Sequence, residues 1–199
     1  MNERTYSQFC YQDTEIDVSK GSFCFGPEVQ FMRCNIILGA AQRSAVLVGG
    51  IFEQCNIKTK KRVVGYRFQD FAFCSCVMSG DFTGCDFGYW SGVSKRMVKV
   101  ENCDFTNTKL DGCRFRNVDI KENQLPGWPC FSFRPSVLYA TAKNMSWPGN
   151  LNYWVGIFES ESDETSCVVE SAVSVMRRFK STERELVNML TKCGVTIAG

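Results

Sequence analysis

The stretch CDFTNTKLDGCRFRNVDIKE, residues 103–122, carries an apolar residue at every fifth position. A smaller residue precedes each apolar one by two positions, which gives the pairs Cys103 and Phe105, Thr108 and Leu110, Cys113 and Phe115, and Val118 and Ile120. An α-helix repeats every 3.6 residues and a strand every two, so neither element alone produces this interval. Because alternate side chains of an extended segment point the same way, the pattern predicts a short extended unit followed by a two-residue corner.

The same interval recurs toward the N-terminus, in residues 29–38, 50–59, 65–78 and 80–89. Phe31, Phe52 and Phe73 are separated by 21 residues each, and three cysteines repeat at the same distance: Cys34, Cys55 and Cys76. Four five-residue units form a coil of about twenty residues, so the sequence predicts a solenoid with four faces. We expect the other two faces to contain Ala41, Val63, Phe82 and Phe115 on one side, and Val46 or Leu47, Phe68, Phe87 and Ile120 on the other.

Six of these units, CDFTN, TKLDG, CRFRN, CDFGY, CNIKT and CNIIL, resemble the consensus of the pentapeptide-repeat family. That consensus is a small residue, Asp or Asn, Leu or Phe, and two polar residues. The resemblance implies a mainly β fold, a right-handed quadrilateral parallel β-helix, here of about four to five coils.

We predict that this β-helix occupies residues 1–122, with a partial first coil in residues 1–28. The distance from Phe87 to Phe105 is 18 residues where five are due, which indicates an inserted loop at about residues 90–102. Residues 123–199 are predicted to form a second unit.

The second unit begins with proline-rich and aromatic segments, NQLPGWPCFSFRP and MSWPGNLNYWVGIFE. Such a composition suits an irregular cap on the open end of the solenoid, because an uncovered last coil leaves backbone groups unpaired. The same aromatics could instead form an exposed contact patch. Two helices are then predicted, at about residues 164–180 and 183–193, the second opening with a capping box from Thr182 to Glu185.

Two sets of residues are candidates for binding a partner. Loops that project from rigid scaffolds are common binding sites, and the inserted loop supplies Trp90, Lys95, Arg96, Met97 and Lys99. It could also simply fold back on the coil. The apolar stripe of the two helices supplies Val173, Met176, Leu186 and Leu190. This stripe predicts either docking on the cap or a homodimer or partner interface.

Several classes of protein are excluded or disfavoured by the sequence. The chain has no histidine, so catalysis and metal ligation that need imidazole are excluded. Six of the twelve cysteines fall at the small inward position, where a thiol packs as a compact hydrophobe. We find no phosphate-binding loop and no nucleophile elbow, and we predict no enzyme activity, no metal and no cofactor.

Location and partner class follow from similar observations. No apolar segment is long enough to serve as a signal or to cross a membrane, so we expect a cytoplasmic protein without a membrane partner. The aromatic residues of the coils have inward phase, which argues against direct nucleic-acid binding.

The resemblance to the pentapeptide-repeat family implies two functions. Some members protect DNA gyrase from toxins and quinolones, but those are acidic rods, whereas residues 29–122 carry 14 Lys and Arg against 9 Asp and Glu. The leading hypothesis is therefore a non-enzymatic protein-binding scaffold of immunity type, which neutralises a bacterial toxin or enzyme. A gyrase or topoisomerase protector and a structural interaction module are the alternatives.

Overall fold

Parallel strands form a β-solenoid of about four turns, followed by a smaller part that contains the helices. The structure is a computed structural model, which describes residues 4–6, 9–39, 45–68, 70–89 and 98–197. This architecture confirms the mainly β solenoid predicted from the five-residue interval.

The first two faces of the solenoid are continuous parallel sheets. The first face stacks β2 (Cys10–Gln12), β5 (Val29–Met32), β8 (Gly50–Glu53), β12 (Phe71–Cys74) and β15 (Val100–Glu101). The second face stacks β3 (Glu15–Asp17), β6 (Asn35–Leu38), β9 (Asn56–Thr59), β13 (Val77–Thr83) and β16 (Asp104–Asp111).

The other two faces are less regular. The third contains β10 (Val63–Val64), which pairs with the last residues of β13, and these pair in turn with the end of β16. The fourth consists of two separate sheets. One contains β1 (Arg4–Tyr6), β4 (Phe23–Phe25) and β7 (Ala45–Leu47), and the other begins with β11 (Arg67–Phe68), β14 (Asp86–Gly88) and β17 (Cys113–Arg116).

The solenoid core consists of columns of stacked side chains. Phe31, Phe52 and Phe73 lie parallel with ring centroids 4.9 and 5.0 Å apart, which confirms the column predicted from their 21-residue spacing. The cysteines at the small inward positions are at most 1 % exposed, as expected for thiols used as packing groups: Cys34, Cys55, Cys76, Cys85, Cys103 and Cys113.

The predicted columns of the last coil are wrong by one face. Phe115 stacks on Phe87 at 5.1 Å and not above Phe82, which pairs with Leu110. Ile120, predicted to lie above Phe87, begins a 3₁₀ turn beyond the last coil.

The cause of this error is the length assigned to the insertion. Val100 pairs with Phe73 on the first face, so residues 100–101 belong to a coil strand and not to the loop predicted at residues 90–102. Residues 90–97 lie outside the described residues. Counting them all as insertion together with β15 moved every later residue to the wrong face.

A left-handed backbone conformation recurs at corners of the solenoid, immediately before an inward residue that begins the next face. At the corner that precedes the second face, φ lies between 51° and 54° at Asp13, Arg33, Gln54, Ser75 and Asn102. At the corner that precedes the fourth face, the corresponding residues are Gly65, Gly84 and Gly112, with φ between 60° and 68°. The regular recurrence of this conformation turns the chain sharply after a short strand.

Two antiparallel strands extend the fourth face past the last coil. β19 (Thr165–Ser171) pairs with β17, and β18 (Cys130–Phe133) pairs with β19. Their side chains alternate between two cores: Cys130, Cys167 and Val169 pack in the solenoid core, whereas Val168 packs with the helices. The two strands are therefore the layer that closes the solenoid.

The helices pack on the outer side of this layer. They are α1 (Pro135–Ala142), α2 (Leu151–Gly156), α3 (Ala172–Phe179) and α4 (Glu183–Lys192). The aromatic residues of the predicted cap form much of the second core, including Phe131, Phe133, Trp147, Trp154 and Phe158.

One of the two predicted C-terminal helices needs correction. Residues 165–171, assigned to a helix at 164–180, form β19, and the helix begins only at Ala172. The run TSCVVES is buried on both sides of the strand, so its apolar residues are consecutive and do not report a helical period. The second prediction is confirmed, because α4 begins after the N-cap Thr182 with the expected capping box to Glu185.

Candidate protein-binding surface

Two neighbouring cavities lie where the solenoid end meets the helices, and Trp128 lines both of them. The first cavity, of about 450 Å³, lies between β16, the segment Pro126–Cys130 and the start of α3. The second, of about 540 Å³, lies between Trp128, α4 and the C-terminal segment. We call the two cavities together the Trp128 groove.

Apolar side chains dominate the groove next to Trp128. Val173 of α3 is 53 % exposed on the first side, and the second side is lined by partly buried Val187, Val195 and Ile197. Polar side chains, among them Thr106, Lys109 and Glu183, line the same cavities. An apolar centre with a polar surrounding is the arrangement of many protein interfaces.

Local chemistry explains why Trp128 stays partly open. It lies in the segment Pro126–Cys130, where Pro126 and Pro129 remove two backbone donors and prevent the chain from continuing a sheet. The indole ring packs on one side against Phe131, at 6.3 Å between ring centroids. Its remaining surface faces the groove, so a large amphipathic ring is held in place and is still accessible.

A second exposed apolar surface lies on α2. Leu151, Trp154 and Val155 face the helical core, whereas Tyr153 is 75 % exposed and Ile157, one turn later, is 54 % exposed. We call Tyr153 and Ile157 the α2 patch. Unlike the Trp128 groove it is convex, because it lies on the outer side of a short helix.

The predicted loop site is described only at its end. Trp90, Lys95, Arg96 and Met97 lie outside the described residues. Lys99 donates a hydrogen bond from Nζ to Glu101 Oε2 at 2.7 Å, and this contact raises the pKa of the lysine. The positive charge of Lys99 is therefore balanced by Glu101, at the edge of the first face.

The predicted helix stripe is divided between the core and the surface. Leu186 and Leu190 are completely buried in the chain's own second core, and Met176 packs against that core. These residues correspond to the alternative in which the helices dock on the cap. Val173 alone of the four is exposed, and it lines the Trp128 groove.

A buried polar cluster lies beneath the groove, where β16 meets α3. Ser174 Oγ donates to Asp111 Oδ2 at 2.6 Å, and Arg178 Nη2 donates to Glu170 Oε2 at 3.0 Å. Burial raises the pKa of Glu170 to about 7, with Arg178 acting in the opposite direction and Asp111 adding to the rise. The cluster links the solenoid to the helical part.

Two features of the described residues bear on metal ligation and thiol reactivity. No group of three or more His, Cys, Asp or Glu residues there is placed to hold a metal ion. The Cys130 thiol, which lines the groove, donates to Leu110 O at 3.5 Å, and burial raises its pKa above the ordinary value. Such a thiol is protonated at neutral pH and is a poor nucleophile.

Over the residues that the structure describes, none of the helices combines the length and apolar character that a membrane-spanning helix requires.

Sequence reasoning did not single out Trp128, Tyr153 or Ile157 as site residues. All three belong to the aromatic segments that predict either a cap or an exposed patch, and the structure contains both. Trp147 and Trp154 are buried in the cap, whereas Tyr153 is exposed. A helical period in LNYWVGIF separates Tyr153 and Ile157 from the buried residues, but only once the helix boundaries are known.

Comparisons with known proteins agree with the repeat. Residues 101–127 match the family model described as pentapeptide repeats (8 copies). Neither the curated proteins nor the solved structures contain a match.

Proposed function

We propose that this pentapeptide-repeat protein is a non-enzymatic scaffold that binds a protein partner, and that the partner is a bacterial toxin held in an inactive complex. The observation that carries the proposal is the Trp128 groove. A tryptophan fixed on one side and open on the other, with apolar neighbours and a polar surrounding, is typical of the anchor residues of interfaces.

The scaffold itself supports this use. Proteins with pentapeptide repeats are often protein-interaction scaffolds. Here the solenoid core and the closing strands support the first wall of the groove, and the second core holds α4 in the other wall, so little ordering is needed when a partner docks. A preorganised surface loses less conformational entropy on binding, which leaves more of the contact energy as affinity.

A quantitative binding experiment tests the groove. A partner is first captured with the full-length protein, purified, and titrated calorimetrically with the wild type and with Val173→Glu. Burying a charge against an apolar partner surface is expected to weaken binding at least tenfold, or about 1.4 kcal/mol.

The matched control is Val64→Glu. Val64 is also a valine and also 53 % exposed, but it lies on β10 of the solenoid. Its replacement should leave the affinity unchanged. Equal affinities of wild type and Val173→Glu would reject the Trp128 groove as the binding site, and a loss confined to Tyr153→Ala would assign binding to the α2 patch.

The inserted loop is tested in the same titration. Replacing residues 90–97 by a Gly-Ser linker, together with Lys99→Ala, should abolish binding if Trp90, Lys95, Arg96, Met97 and Lys99 are the site, as the sequence predicts. An unchanged affinity would exclude the loop.

The identity of the partner decides between the two implied functions. A toxin partner should lose its toxicity when co-produced with the wild type and regain it with Val173→Glu. Capture of DNA gyrase, with restored supercoiling in the presence of a poison, would instead establish the gyrase-protector alternative.

A further inference from the structure

The buried cluster beneath the Trp128 groove contains two carboxyl groups and one guanidinium group. Two carboxyl groups belong to this cluster, Asp111 at the end of β16 and Glu170 in β19, and Asp111 is close enough to raise the pKa of Glu170. Arg178 of α3 contacts Glu170 at 3.0 Å but is itself 47 % exposed. Glu170 is only 5 % exposed. The cluster therefore has one guanidinium, half exposed and in contact with Glu170, for two carboxyl groups, of which Glu170 is almost fully buried.

The hydrogen-bond pattern indicates a missing donor. Asp111 Oδ2 accepts from the Ser174 hydroxyl at 2.6 Å. Asp111 Oδ1 is buried and, among the described residues, has no hydrogen-bond donor. The neighbouring Glu170 carboxyl would supply one if it carried a proton. A buried acceptor left without a donor is destabilising, so the arrangement favours a protonated Glu170.

The groups that act on Glu170 come from three elements. Arg178 of α3 and the Trp154 indole of α2 stabilise the ionised form, whereas Asp111 of β16 disfavours it. Burial is the largest influence and raises the pKa of Glu170 from 4.5 to about 7. The proton is therefore lost near neutral pH.

The position of the cluster connects it to the groove. β16 contributes Asp111 to the cluster and Lys109 to the groove wall, and α3 contributes Ser174 to the cluster and Val173 to the groove. Any separation of α3 from β16 must widen the groove between them.

We propose that a proton on Glu170, donated to Asp111, holds α3 on the solenoid end, and that its release to solvent drives the two side chains apart, loosens α3 and lowers the affinity of the Trp128 groove for its partner. The last step rests on the proposed function, whereas the proton and the loosening of α3 do not. Binding would then be tighter below neutral pH than above it.

A measurement without a partner tests whether the proton on Glu170 holds α3 on the solenoid end. Carbon-13 NMR of the side-chain carboxyls in the full-length protein should show one group titrating near pH 7, and this signal should be missing in Glu170→Gln. Backbone hydrogen exchange of residues 172–179, corrected for intrinsic rates, should show α3 opening about tenfold more at pH 8 than at pH 6. That ratio follows from a pKa of about 7 when closed and 4.5 when open.

Two variants give the comparison. Glu170→Gln keeps a neutral donor at every pH, so its α3 exchange should not depend on pH. Glu15→Gln, a surface substitution on the first coil, should behave as the wild type. If α3 of the wild type opened to the same extent at every pH, or if the carboxyl titration near pH 7 persisted in Glu170→Gln, the proposed role of the proton would be wrong.

Measuring the affinity for the partner at several pH values completes the test. Affinity should fall from pH 6 to pH 8 in the wild type and stay constant in Glu170→Gln. Constant affinity in both, despite pH-dependent opening of α3, would overturn the link to binding. An unchanged affinity of Val173→Glu would instead contradict the proposed function, and the NMR and exchange results would remain valid.

Discussion

Individual residues of the coils have roles set by their direction relative to the core. Phe52 is 2 % exposed and stacks between Phe31 and Phe73, whereas its neighbour Ile51 is 40 % exposed and points outward. This alternation was predictable from the sequence, because a short extended unit can bury only every second side chain.

A pair of substitutions tests the alternation. Phe52→Ala should lower the free energy of unfolding by about 3–5 kcal/mol, through lost burial and the cavity left in the stack. Ile51→Ala should lower it by less than about 1 kcal/mol, because the side chain is already half in water. Urea denaturation followed by circular dichroism measures both, and equal losses would contradict the register.

Two glycines with a left-handed conformation differ in the space available for a side chain. Gly84 and Gly88 both have positive φ, but a Cβ at Gly84 would have no neighbour within 4 Å, whereas one at Gly88 would collide with the carbonyl oxygen of Arg116. Gly84 serves only the turn. Gly88 also allows the close approach of the next coil.

The two corresponding alanine variants should therefore differ. Gly84→Ala should cost about 1–2 kcal/mol from the left-handed conformation alone, and Gly88→Ala a further 1–3 kcal/mol or so from the collision. Thermal unfolding of both variants measures the difference. If Gly88→Ala were no worse than Gly84→Ala, the coils would be able to separate at this point without cost.

At the scale of elements, an ion-pair network joins the helical part to the solenoid. Glu161, which precedes β19, accepts from Arg116 at 3.0 Å and from Thr165 at 2.7 Å. Arg116 lies on β17 and its side chain is 3 % exposed. Arg114, on the same strand, binds Asp86 of β14 through two hydrogen bonds, at 2.6 and 3.0 Å.

Two nearby glutamates provide a test of this junction. Glu161→Ala removes a negative charge beside the buried Arg116 and should cost about 3 kcal/mol or more. Glu159→Ala removes an exposed hydrogen bond to Tyr139 and should cost less than about 1 kcal/mol. Chemical denaturation compares them, and similar values would show that the network does not hold the junction.

At the scale of the whole molecule, the strands β18 and β19 separate two cores and cover the last coil. Without them, the edge of β17 and the side chains of the last coil would face water. Exposed strand edges recruit other chains, so we expect the C-terminal part to prevent association through the last coil.

Deletion of residues 123–199 should therefore produce soluble oligomers or aggregates and not a monomer. Size-exclusion chromatography with light scattering gives the result, with the full-length protein as the reference. A monomeric fragment that keeps the β-sheet signal would show that the last coil tolerates exposure.

The sequence by itself determined the solenoid, the inward residues of most coils and the helix α4 with its capping box, because these depend on local periodicity and local hydrogen bonds. It did not determine the face of each residue after the insertion, since eight extra residues between two strands leave no periodic signal to count through. Only the tertiary structure decided that TSCVVES is a strand, because a consecutive apolar run suits either a helix or a buried strand, and its pairing with β17 and β18 on both sides makes it a strand. It alone also decided that Trp128 and Val173 share a groove and that Asp111 and Glu170 meet beneath it, because these pairs are 45 and 59 residues apart in the chain and are brought together only by the docking of the helical part on the last coil.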